Sequence, residues 1–296
     1  MKNISILFIG IILISAPITK LMAQINPLKS QFFENSFLFN SAKAGSDSTS
    51  IFSANFNSQW NKLPGSPQIY TVTVNTPINK RMGLGLLLFN DKAGLLSRTS
   101  VIGSYSYLVP FTNDISIRFG ISAGYLSEDL IYDESITPNK TIDPSLLTFG
   151  DSHQDILRAG FGTTFTFKSF EIQASLYNLN RNLRKTNGLK SVDRAGITLL
   201  ANYVIENKEN FTFNILGGYR QINGLSDYFD AGLKIAFNKS IDFSVLYHTN
   251  RSTTLGFGYD YRRNFKIHCL YNNEPSEIRG LTGGTFEVAL YVPFKL

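Results

Sequence analysis

From Phe286 to the C-terminus the chain alternates. Phe286, Val288, Leu290, Val292, Phe294 and Leu296 take every second position, with Glu287, Ala289, Tyr291, Pro293 and Lys295 between them. A period of two sends the two sets to opposite faces of one strand. The same rhythm runs backwards through the chain. Phe265, Ile267, Cys269 and Tyr271 interleave with Lys266, His268 and Asn272, and Leu255 to Tyr261 repeats the scheme around Gly256, Gly258 and Asp260. Phe243, Val245 and Tyr247 alternate with Asp242, Ser244 and His248; Phe229 to Phe237 alternates around Asp230, Gly232 and Lys234. Further segments lie at 211–215, 196–202, 170–176, 160–167 and 115–124, with less regular ones near 51–58, 68–76, 82–90 and 99–109. The count is fourteen. An even number suits a closed antiparallel barrel, and the lengths cluster near the ~9–11 residues of a tilted membrane strand.

The connections fall into two classes. Pro77–Arg81, Pro110–Asp114, Lys168-Ser169, Ile205–Asn210, Asn238–Ser240 and Arg262–Asn264 are short. The two longest gaps, Ser127–Gln154 and Asn178–Asp193, fall on the opposite side, together with short links near Asn223-Gly224 and Asn250-Arg251. Short periplasmic turns and long external loops are the barrel arrangement, which places both termini in the periplasm. A soluble β-sandwich also alternates, but its outward face is polar and charged. Here one face carries Gly, Ser and Thr with sparse charge, and the other carries rows of Phe, Leu and Ile. The expected fold is therefore all-β: a transmembrane antiparallel barrel of about 14 strands spanning 51–296.

The N-terminus sets the compartment. Met1 and Lys2 precede an apolar run, Ile4–Ile14, broken only by Ser5 and Gly10. Ser15–Lys20 then leads to Leu21-Met22-Ala23. That is a secretory signal peptide over 1–23, with cleavage expected after Ala23. The run is shorter than the roughly 20 residues a spanning helix needs. No Cys lies near the cut, which argues against a lipoprotein. Residues 24–50, with Phe32, Phe33, Phe37 and Phe39, are too apolar for a free tail. They are expected to pack into or against the barrel, where they would act as a plug.

Composition adds exclusions. The formal net charge of +6 loses Lys2 and Lys20 with the signal, and the remainder reads as scattered, with no basic stripe for nucleic acid. Cys269 is the only cysteine, so no intramolecular disulfide forms; it falls on the apolar face as a small filler. His153, His248 and His268 are the only histidines. The last two fall on polar faces and could line a lumen, but a metal needs further converging ligands. No phosphate-binding glycine loop, paired-histidine helix or nucleophile elbow is present. Catalytic, cofactor-binding and metal residues are therefore expected to be none. The stretch Glu128–Asp155 gathers Glu128, Asp129, Asp133, Glu134, Asp143, Asp151 and Asp155 with Pro138 and Pro144. It reads as a solvated external loop, with calcium as a minor alternative because the spacing is irregular. Arg118, Arg158, Glu171, Arg220, Asp230, Lys234, Asp242, Asp260, Lys266 and Glu287 should face the lumen and pair across strands. The glycines are read as barrel corners and tight interior packing.

More specific residues surround the first strands. Phe39-Asn40-Ser41-Ala42-Lys43-Ala44-Gly45 resembles the Asn-Pro-Ala-x-Ala-Gly box of the PorP/SprF family of Bacteroidetes outer-membrane proteins, with Ser41 at the usual Pro and Lys43 at the usual aromatic. Ser58-Gln59-Trp60, Gly65-Ser66-Pro67, Thr76-Pro77-Ile78, Gly83-Leu84-Gly85 and Asn90-Asp91-Lys92-Ala93-Gly94 follow in that family's order. Gly256–Tyr261 and Thr285–Val288 are similar to its closing strands. The resemblance implies an outer-membrane barrel associated with the type IX secretion system. Such a barrel would assist secretion or surface retention of an exported partner protein, such as a gliding adhesin. It implies partners among exported surface proteins, other secretion components and outer-membrane lipid, and it brings no catalytic residues. A passive channel or small-solute transporter is the alternative.

Overall fold

The computed structural model describes residues 29–130, 152–179, 194–207, 210–223, 225–275 and 280–295. The expected signal peptide, residues 24–28, most of the acidic loop and residues 180–193 lie outside these.

Fourteen antiparallel strands close into one barrel in sequence order. They are β1 Ser50–Gln59, β2 Gln68–Pro77, β3 Met82–Ala93, β4 Leu96–Pro110, β5 Ile115–Leu130, β6 Ser152–Phe167 and β7 Phe170–Tyr177. The second half is β8 Gly196–Glu206, β9 Phe211–Ile222, β10 Tyr228–Phe237, β11 Ile241–His248, β12 Ser252–Tyr261, β13 Phe265–Asn273 and β14 Thr285–Phe294. Closure comes from β1 against β14, with Ser50 opposite Phe294 and Gln59 opposite Thr285. The terminal alternation thus forms the seam. No helix among the described residues is long and apolar enough to cross a membrane.

The clearest departures from the sequence reading are in the hairpins that face outward. β5 and β6 pair from Ile115 opposite Phe167 up to Leu130 opposite Ser152, so the expected loop at 127–154 shrinks to 131–151. Beyond Tyr125 the lipid-side positions become Ser127, Asp129, His153 and Asp155. Apolar alternation ends there while hydrogen bonding continues into water. β3 and β4 likewise meet at a tight turn, where Gly94 takes φ +58. The short turns at the other end keep their expected places.

The outward face is an apolar band. Phe243, Ile121 and Leu157 are 61%, 60% and 69% exposed, a pattern of contiguous apolar surface that fits lipid rather than water. Aromatic pairs ring both borders. Phe56–Tyr70, Tyr219–Phe229 and Tyr271–Phe286 lie near the external end, and Phe211–Phe237 and Tyr261–Phe265 near the periplasmic end, with centroids 4.8–5.3 Å apart. Such pairs add about 0.5–1.5 kcal/mol beyond the area they bury. Phe243 faces lipid one step inside the periplasmic girdle, opposite Ile235 and 5.3 Å from Phe257. Phe243→Arg is expected to lower barrel stability by about 1–3 kcal/mol, between the interfacial and midplane costs, in urea unfolding from liposomes. An unchanged midpoint would place Phe243 outside the lipid.

Candidate functional site

Residues 29–45 lie inside the barrel. Gln31, Phe32, Ala42 and Ala44 are fully buried, and Asn40 and Phe37 nearly so. The segment folds as single 3-10 turns at Lys29–Gln31, Ser36–Leu38 and Ser41–Lys43, the last capped by Asn40 Oδ1, which accepts from Ala42 N at 2.9 Å. A barrel of this strand number is wider than the eight-strand case that wall side chains alone can fill. The segment supplies much of the missing core. Phe32 packs on Leu200, Leu216 and Leu246 with Phe33 and Phe39 around it; Phe37 packs with Ala44 and Leu87.

Glycine on the wall makes this possible. A Cβ on Gly85 would enter the Phe37 ring, and one on Gly232 would meet Phe33. A Cβ on Gly83 would strike Ala44 and Gly45, and one on Gly120 or Gly162 would strike the backbone or side chains of 40–42. Tight interior packing is therefore the better half of the sequence reading of glycine. The Asn40–Gly45 box and Gly83-Leu84-Gly85, which are far apart in sequence, meet in space.

Polar anchors ring the segment. Glu34 contacts Lys234 Nζ at 2.6 Å, Lys266 Nζ at 2.7 Å and His268 Nε2 at 3.2 Å. Asp242 joins them, 2.9 Å from Lys266 and 2.8 Å from His268. Burial pushes the Glu34 carboxyl up, but the two ammonium groups and His268 outweigh it and hold the group at about 2. Glu287 accepts from Ser30 Oγ, Gln31 Nε2, Asn55 Nδ2 and Asn57 Nδ2. Tyr291 OH donates to Gln31 Oε1 at 2.5 Å. On the opposite wall Lys43 pairs with Glu171 at 3.0 Å, Ser106 Oγ donates to Ala44 O at 2.5 Å, and Asn40 Nδ2 donates to Thr163 O at 3.1 Å.

The predicted lumen residues face inward, but their partners differ from the expected cross-strand pairs. Arg220 and Asp230 pair across β9 and β10 as expected, at 2.7 and 2.9 Å. Lys234, Glu171 and Glu287 instead engage the N-terminal segment, and Lys266 serves both it and Asp242. Arg118 donates to Ser106 Oγ at 3.0 Å and Arg158 to Ser100 Oγ at 3.3 Å. Asp260 accepts from Arg263 N at 2.7 Å and so stabilises the β12–β13 turn. Sequence reasoning missed Glu34, whose signal was a lone acid among phenylalanines. It also missed the Asp91–Arg98 ion pair across the β3–β4 hairpin.

Two groupings invite chemistry. Glu34, Asp242 and His268 place ligand atoms within 4.8 Å of one another. The ammonium groups of Lys234 and Lys266 already neutralise these carboxylates, so the cluster does not suit a cation. His248 Nδ1 lies 2.5 Å from Asp230 and Nε2 lies 3.0 Å from Thr254 Oγ1, an acid–base–hydroxyl line absent from the sequence reading. All three side chains are buried, Arg220 grips Asp230, and Thr254 Oγ1 donates to Asn272 Oδ1 at 3.1 Å. The line braces β10, β11 and β12. At the external end, His153 sits 2.6 Å from Asp129 and 2.9 Å from Asp155, and Cys269 faces outward. Most acids of the proposed calcium loop lie outside the described residues.

A family model described as "Type IX secretion system membrane protein PorP/SprF" matches residues 21–292. A search of curated proteins returns no match. Among solved structures, the Ralstonia pickettii toluene transporter TbuX is similar at TM-score 0.56 and 12% identity, over 88% of this chain and 93% of that one. The Pseudomonas putida toluene transporter TodX is similar at TM-score 0.53 and 9% identity, over 89% and 94%. At these identities the likeness concerns the fold.

Proposed function

Since the chain belongs to the PorP/SprF family of type IX secretion system membrane proteins, we propose that it is a plugged outer-membrane barrel that assists secretion or surface retention of an exported protein, such as an adhesin. It engages that partner at its external loops or mouth. The observation that carries this reading is the N-terminal segment seated across the lumen. It is matched to wall glycines, tied by charge to β10 and β13, and tied by hydrogen bonds from Asn35 to Ser53 on β1 and from Gln31 to Glu287 on β14. A wall shaped around its own chain is a poor conduit for solutes. It leaves the external face as the working surface.

The test is deletion of residues 132–150 between β5 and β6, whose pairing up to Leu130 and Ser152 gives the shortened hairpin a formed base. Surface display of the exported partner should fall to background while the barrel still resists protease. Undiminished display would remove this loop from the binding surface. The rival reading, a small-solute channel, draws on the toluene transporters that share the architecture. It requires an open path past residues 29–45, which conductance measures directly.

A further inference from the structure

Cations occur at both ends of the barrel, but at the external end Lys62, Lys92 and Arg251 share the surface with acids such as Asp129, Asp155 and Asp227, whereas the periplasmic turns are left with an excess of positive charge. Lys80 and Arg81 lie in the β2–β3 turn, Lys168 in β6–β7, Lys239 in β10–β11, Arg262 and Arg263 in β12–β13, and Lys295 follows β14. All are exposed. Among their described residues these turns hold no acid; Asp114 lies in the separate β4–β5 turn, and Glu206, at the end of β8, lies 3.7 Å from Lys239. We infer that this rim binds the anionic phosphate headgroups of phospholipids in the periplasmic leaflet.

Three observations converge on that partner. The first is the cost of the residues used. Lys168, Lys239, Arg262 and Arg263 adopt φ of 53°, 56°, 50° and 61°. The left-handed region is sterically strained for an L-residue with a Cβ, and Gly, or often Asn, takes it with less strain. Asn210 does so in the β8–β9 turn, and Asn238 does so beside Lys239 in the β10–β11 turn. Among the described residues, four of the five cations in this conformation sit in periplasmic turns, Arg251 in the external β11–β12 turn being the other.

The second is their level. Lys168 Nζ lies 5.5 Å from the Phe167 ring and Arg262 lies 5.6 Å from the Tyr261 ring. Both rings belong to the lipid-facing periplasmic girdle, and such girdles mark the headgroup layer. The ammonium and guanidinium groups therefore reach the phosphate plane. The third is their distribution. The turns involved are spread around the circumference, not collected on one facet. An annulus of lipid matches a ring, whereas a soluble acidic protein would match a patch.

The test reconstitutes the mature barrel in vesicles of phosphatidylethanolamine and phosphatidylglycerol and measures by mass spectrometry the lipid that stays bound on extraction. Phosphatidylglycerol should be enriched at least about fivefold over its bulk share, the worth of one basic residue at an anionic surface. The variant carrying Lys168→Asn, Lys239→Asn, Arg262→Asn and Arg263→Asn should lose most of that enrichment, with the remainder carried by Lys80, Arg81 and Lys295. Its unfolding midpoint should be unchanged or higher, because Asn relieves the turns; this separates lost binding from lost folding. Lys62→Gln, on the external β1–β2 loop, should keep the enrichment. Bulk-proportion lipid on the wild type would overturn the inference, as would enrichment that is undiminished in the quadruple variant. Rim-dependent capture of an acidic protein without lipid preference would overturn it in favour of a protein partner.

Discussion

Reversing the charge at Glu34 is expected to drive the N-terminal segment from the lumen. In the native barrel Glu34 shares Lys234 and Lys266 with Asp242, so two anions face two ammonium groups and His268. Glu34→Lys would set three ammonium groups against Asp242 alone. Removing one partner of a buried pair costs about 3–5 kcal/mol, and a like charge adds to that. Limited trypsin digestion reads the result. Lys43 should be protected in the native barrel and cleaved in the variant while the strands stay intact. Glu34→Gln, which removes charge without reversing it, should fall between. Acid offers a second route to the same release. The Glu34 carboxyl stands at about 2, below its ordinary 4.5. Its contribution is therefore complete above pH 4.5 and is lost as pH falls through about 2. In amide hydrogen exchange, which can be read in acid where trypsin is inactive, Ser36–Lys43 should stay protected at pH values above 4.5 and lose protection only below. Unchanged digestion of Glu34→Lys would mean that steric seating alone retains the segment.

A valine at position 120 should unseat the other half. The Cβ position of Gly120 falls on the backbone of Ser41 and Ala42, which cannot rotate away as a side chain would. Overpacking costs about 1–3 kcal/mol where neighbours can give, and here they are the 3-10 turn itself. Gly120→Val is expected to expose Lys43 to trypsin and to lower the unfolding midpoint. Gly217→Val is its control, because a Cβ there faces outward with nothing within 4 Å. Equal behaviour of the two variants would contradict the seat. The glycine and ionic halves act on different walls, so each variant tests one of them.

Strand count and sidedness were legible because lipid imposes a period of two on every strand. Phe286 to Phe294 announced the closing seam, and Lys266 and His268 could be assigned inward from their neighbours alone. What alternation does not encode is who meets whom across the lumen. Glu34 finds Lys266 over 232 residues, and Gln31 finds Glu287 over 256. Only closure of the sheet brings them together. The strand ends of β5 and β6 were missed for the opposite reason. Ser127, Asp129, His153 and Asp155 pair as strand but no longer face lipid, so the hydrophobic signal stopped early. The basic rim was also invisible, because its charges sit in separate turns that the sequence lists far apart. Asp260 keeps its inward position, but near the end of β12 its carboxylate accepts from the Arg263 N–H of the turn rather than pairing across strands.

The central claim is that this barrel's own N-terminal segment closes it and that its partner is a protein handled outside the pore. Planar-bilayer recording of the intact mature chain beside a deletion of residues 24–45 tests it most directly. The account predicts little or no steady conductance from the intact barrel and large steady currents from the deletion. Large steady currents from the intact chain would contradict it.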